Sequence, residues 1–209
     1  MRTSTVIKAL LAATAVTPLL CQAESTLQTG GGALTATAHV DFQITIPKFL
    51  FLRVGTGTGT AAGAWATNGA IDPIAFAPTP AQLGTGPLAA TPASGDLGNG
   101  TETAVVVGNG GDVTFSSATA GPLGDGSGDS ISFATITTTA AHNTTGTTLA
   151  APALADGATT TTTLTSVGKI VQQDAQWTYK YTNATIPPAG TYGGVNANNS
   201  RVTYTASVL

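Results

Sequence analysis

Residues 34–46 (LTATAHVDFQITI) alternate apolar and polar without an exception. Leu34, Ala36, Ala38, Val40, Phe42, Ile44 and Ile46 fall on one side. Thr35, Thr37, His39, Asp41, Gln43 and Thr45 fall on the other. A strict period of two predicts a β-strand with one buried face. At about 3.4 Å per residue this run is roughly 44 Å long, about twice an ordinary strand. Either it bends from one sheet into another, or part of it lies outside its own domain. Fixing an extended backbone costs roughly 1–2 kcal/mol per residue, so a strand of this kind needs a sheet edge and an apolar groove. If the domain accommodates only residues 41–46, residues 34–40 form an adhesive strand directed at a neighbour's sheet edge.

The rest of the chain reads as short strands between turns. Pro47 ends the first run, and residues 49–54 (FLFLRV) begin a second. Residues 71–77 suggest a short strand that Pro73 restricts to a sheet edge. Residues 77–100 are rich in Pro and Gly and read as a long loop. Residues 103–107 and 113–117, separated by Gly108-Asn109-Gly110-Gly111-Asp112, predict a hairpin. Further strands are expected over 131–139, 176–182 and 201–209, while the threonine-rich segments 143–148 and 158–163 fit no pattern. Seven to nine strands, short connections and the lack of a helical period predict an all-β protein, an antiparallel β-sandwich with an N-terminal extended strand.

Residues 1–23 predict a signal peptide. Arg2 and Lys8 are its positive end, residues 9–20 form an apolar run too short to span a bilayer, and Cys21-Gln22-Ala23 offers a cleavage site. A lipoprotein anchored through Cys21 is the rival reading, although Leu20 stands where a lipobox has a small residue. On this reading residues 24–40 are an N-terminal extension and candidate donor strand, and residues 41–209 the sandwich. The mature chain is then exported, extracellular or on the cell surface, with no membrane span. It keeps five basic residues against ten acidic ones and no cysteine. Such a balance argues against a nucleic-acid partner, which a basic patch would attract. Charged residues make up 8% of the chain and threonine about one residue in five, the composition of an extracellular β-protein.

The alternating segment LTATAHVDFQI, with the turn at residues 188–194 and the closing strand RVTYTASVL, resembles immunoglobulin-like fimbrial subunits. Those subunits are assembled by donor-strand exchange through chaperone–usher export, and pilins resembling spore coat protein U share the same beginning and end. The resemblance covers about 40 residues at the two ends. It implies an immunoglobulin-like fold and a structural role in a surface filament or fimbria. It further implies a homopolymer, an export chaperone and an outer-membrane usher as partners, and a Gram-negative source. The assembly strand would be Leu34, Ala36, Ala38, Val40 and Phe42.

No catalytic, cofactor or metal site is expected. His39 and Asp41 share one strand face without a third ligand, and a solvated face accounts for them. Two histidines leave little material for a nucleophile–base pair, and neither G-x-S-x-G nor H-E-x-x-H occurs. Residues 124–130 (GDGSGDS) look like the opening of a calcium loop, but Ile136 stands where the bidentate Glu belongs. The glycine runs at 55–59 and 108–110 precede no helix and are not phosphate loops. Asn143, Asn183 and Asn198 begin glycosylation sequons. Trp177, Tyr179 and Tyr181 alternate on one strand face; they are either core or a carbohydrate platform. The platform would make the chain a monomeric secreted binding module instead of a filament subunit, with residues 34–46 paired inside its own sandwich.

Overall fold

A computed structural model describes residues 24–56, 65, 67, 69–144 and 147–208. The expected signal peptide and most of the GTGTGT linker lie outside the described residues. The chain divides into two compact units at the Ile46–Pro47 bond.

The larger unit is all-β. Its strands are β1 (Leu50–Val54), β2 (Leu88–Ala89), β3 (Thr101–Gly108), β4 (Val113–Thr119), β5 (Leu123–Gly124) and β6 (Ser130–Ile131), followed by β7 (Ile136–Ala141), β8 (Thr147–Thr148), β9 (Thr159–Leu164), β10 (Val171–Tyr181) and β11 (Val202–Ser207). Two single 3-10 turns, Pro80–Gln82 and Phe133–Thr135, are its helical elements among the described residues. One sheet has the order β1-β3-β10-β2, with β7 and β8 also on β10; the second is β11-β4-β9. β5 and β6 form a small ribbon. Every ladder is antiparallel except the two-residue pairing of β8 with β10.

The two larger sheets form a sandwich because their alternating residues share one core. Ala104 and Val106 of β3 and Val171, Ala175, Trp177 and Tyr179 of β10 pack with Val113 and Phe115 of β4, Leu164 of β9 and Leu149. The Trp177 ring lies 6.0 Å from Phe115 and 5.2 Å from Tyr204 of β11. Its indole N–H donates to the Leu149 carbonyl at 2.8 Å, which satisfies the one polar atom that this side chain brings into the core.

Several expectations need correction. The predicted hairpin between residues 103–107 and 113–117 does not form, because β3 and β4 belong to different sheets. β3 pairs with β1 on one edge and β10 on the other, and β4 is likewise flanked by β9 and β11, so neither has an edge left for its neighbour in sequence. The Asn-Gly loop crosses between sheets instead, and its side chains act as clamps. The Asn109 Oδ1 accepts from the Phe49 N–H, its Nδ2 donates to the Pro47 carbonyl, and Asp112 accepts from the Ser166 N–H and hydroxyl.

Residues 71–77 form no strand. Ile74 and Phe76 still pack against the core, while the Ala75 N–H donates to the Ser94 hydroxyl and its carbonyl accepts from the Thr91 N–H. The long loop is ordered around Asn183, which is fully buried: its side chain accepts from the Gly84 N–H and donates to the Gln82 and Gly86 carbonyls. The asparagine's φ of +48°, in the left-handed region, suits this residue type. Its burial also closes the sequon at Asn183 to modification in the folded chain.

Candidate assembly strand and its sheet edge

In the smaller unit, residues 24–46 enter no β-ladder, and every one of them is exposed. The apolar row is open to solvent: Leu34 is 52% exposed, Val40 74%, Phe42 91%, Ile44 86% and Ile46 75%. Ala36 and Ala38 are exposed as well. The strand predicted over residues 34–46 is therefore not formed, and the apolar row expected to be buried is exposed. Period two specifies an extended backbone but not the partner that covers it.

Residues 24–39 fold back loosely on themselves. The Thr26 hydroxyl donates to the Thr37 carbonyl at 2.9 Å, and the His39 Nδ1 lies 2.7 Å from a Glu24 carboxylate oxygen. Both pairs are centred on Gly31 and Gly32, where an added Cβ would meet nothing within 4 Å. His39 thus faces Glu24 rather than joining Asp41 in a site. An exposed pair of this kind contributes little, roughly 0–1 kcal/mol.

In the larger unit, β1 has one edge whose backbone phase can be read directly. Its ladder with β3 runs from Leu50 opposite Gly108 to Val54 opposite Ala104. The flanking bonds, Gly55 N–H to the Thr103 carbonyl and Asn109 N–H to the Phe49 carbonyl, set the phase: odd-numbered residues bond to β3. The backbone groups of Leu50, Leu52 and Val54 accordingly point to the opposite edge, where no strand pairs among the described residues. The side chains of these same three residues pack against the core yet remain only half-buried. A groove of about 330 Å³ is lined by residues 50–56 with Trp65, Thr67 and Ala70. Trp65 stacks on Phe49 and Phe51, at 4.8 and 6.3 Å between ring centres.

Near one end of β1 lies a carboxylate group of unusual character. Glu102, opposite Trp177 in the ladder of β3 with β10, is 6% exposed. Burial first, and the neighbouring Asp72 and Asp96 charges second, push its carboxyl up to about 7. Asp72 accepts from the N–H and hydroxyl of Thr56, and Asp96 from the N–H and hydroxyl of Thr103.

The remaining candidates resolve plainly. Trp177, Tyr179 and Tyr181 are 0%, 5% and 9% exposed, so they offer no platform to a carbohydrate; alternation could not tell which face of β10 is covered. The Tyr179 hydroxyl lies 3.0 Å from that of Tyr204, and burial raises both phenols, Tyr204 to about 12. In the GDGSGDS loop, one Asp125 oxygen accepts from the N–H groups of Ser127, Gly128 and Asp129, which lowers its carboxyl. Among the described residues no group of three His, Cys, Asp or Glu side chains is placed to hold a metal ion. The edge phase of β1 and the Asn109 clamp escaped the sequence reading, because both depend on a partner strand some 50 residues away.

No protein-family model matches the chain, and no curated protein or solved structure matches it significantly either.

Proposed function

We propose that this protein is an exported structural subunit, immunoglobulin-like in its sandwich, that polymerises by β-strand addition into a surface filament or fimbria-like layer. The observation that carries the reading is the unpaired segment 34–46. Its apolar row is solvent-exposed in a chain whose sandwich has a core of its own. An extended strand with one apolar face is stabilised by a sheet edge, whose backbone bonds supply affinity and whose pockets select the side chains. One such strand and one acceptor edge per subunit make a heterologous contact that repeats without closing, the geometry of a filament. Leu34, Ala36, Ala38, Val40 and Phe42 are the side chains that a neighbour would cover. An export chaperone and an outer-membrane usher fit the same scheme as partners, since so exposed an apolar row invites premature association.

The test is electron microscopy of surface material from producing cells, beside cells that carry Val40→Asp. The reading predicts filaments that disappear with the charge, and normal filaments from Val40→Asp would refute it.

A further inference from the structure

We infer that residues 24–29 are a strap, folded onto residues 34–39 of the same chain, that is displaced before this half of the alternating segment joins a neighbour. The strap is a control on assembly rate, and in that it rests on the filament reading above.

Its two polar contacts share one register. The His39 Nδ1 lies 2.7 Å from a Glu24 carboxylate oxygen, and the Thr26 hydroxyl donates to the Thr37 carbonyl at 2.9 Å. From one pair to the next, the chain advances two residues on one side and retreats two on the other, as in an antiparallel pairing. The same register places Leu27 across from Ala36 and Thr29 across from Leu34. The reversal falls on Gly30-Gly31-Gly32, where the backbone bends. Three residues without side chains make that reversal easy to enter and to leave. Leu34 lies beside it, since a Cβ on Gly30 would meet the Leu34 Cδ2 at 3.5 Å.

Exposure follows the reach of the strap. Leu34 is 52% exposed, whereas Val40, Phe42, Ile44 and Ile46, all beyond the last contact at His39, are 74%, 91%, 86% and 75% exposed. The alternating segment is thereby divided into a held half, 34–39, and an uncovered half, 40–46. Strand addition works through backbone groups, and the Thr26 hydroxyl already occupies the Thr37 carbonyl. The strap forms no β-ladder, and both of its contacts lie at the surface, where water competes for the same groups. Such a strap yields to a full row of backbone bonds. Residues 40–46 engage first, and residues 34–39 follow as the strap peels away.

The test uses the full exported chain, dissolved in guanidinium, diluted to one fixed concentration and followed by light scattering. Glu24→Gln with Thr26→Ala removes both contacts, and Thr26→Ser keeps the hydroxyl as a control. Because the rate scales with the fraction of unstrapped chains, the double variant should polymerise roughly three- to tenfold faster than the parent. Thr26→Ser should match the parent. In the Val40→Asp chain, which stays monomeric on this reading, nuclear Overhauser contacts should join Thr26 to Thr37 and vanish when Glu24→Gln and Thr26→Ala are added. A double variant no faster than the parent, or a Val40→Asp chain without the Thr26–Thr37 contact, would overturn the strap while the filament reading stands. No polymer from the parent itself would overturn the filament reading, and the strap's control of assembly with it.

Discussion

Glu102 makes stability depend on pH in a direction opposite to that of most carboxylates. Its carboxyl lies at about 7 in the folded chain against 4.5 for the unperturbed group. The folded state thus holds a proton that the unfolded state releases, and stability falls as pH rises through the window from about 4.5 to about 7. At 1.36 kcal/mol per unit the full effect is about 3 kcal/mol, of which about 2 lies between pH 5 and pH 8. With a urea slope of about 2 kcal/mol per molar, the midpoint falls by about 1 M over that interval. The assay is urea unfolding at pH 5 and pH 8, followed by the indole fluorescence of buried Trp177. The background is Val40→Asp, which keeps polymerisation out of the measurement. Glu102→Gln isolates the group: it should flatten the difference and raise the midpoint at pH 8. An unchanged pH dependence in Glu102→Gln, or a midpoint that rises with pH in the parent and falls in the variant, would refute the reasoning.

Three further outcomes are expected. Phe42→Asp, at a side chain 91% exposed, should leave the unfolding free energy of the sandwich within about 0.5 kcal/mol of the parent while weakening association by at least tenfold. Trp177→Phe removes the donor to the Leu149 carbonyl and part of the core volume, and should cost roughly 2–3 kcal/mol in urea unfolding. Asn183→Ala leaves the Gly84 N–H without its acceptor and the Gln82 and Gly86 carbonyls without their donor. It should cost roughly 1–3 kcal/mol and make the 77–100 loop cleavable by a protease that spares the parent.

Much of the fold was legible because its signals are local. The FLFLRV run becomes β1 with its predicted length shortened by one residue, and the alternation of Val202, Tyr204 and Ala206 becomes β11. What failed were the pairings. The Val-rich runs on either side of Gly108-Asn109-Gly110 look like hairpin arms, yet β3 is buried on both faces and already flanked by two other strands. The threonine run of β9 carries no hydrophobic period, and it becomes a strand because β4 supplies a partner edge. At the candidate site, the alternation of residues 34–46 was legible, but the strand it predicts does not form. The exposure of their apolar row had no local signature, and the outward phase of Leu50, Leu52 and Val54 depends on the ladder with β3.

The most direct test of strand-mediated assembly is a denaturing gel of protein sheared from producing cells, run with and without boiling. Strand exchange predicts a ladder of oligomers in the unboiled lane that collapses to one band on heating, because every backbone group of the inserted strand must be released together. A single monomer band in both lanes would contradict it.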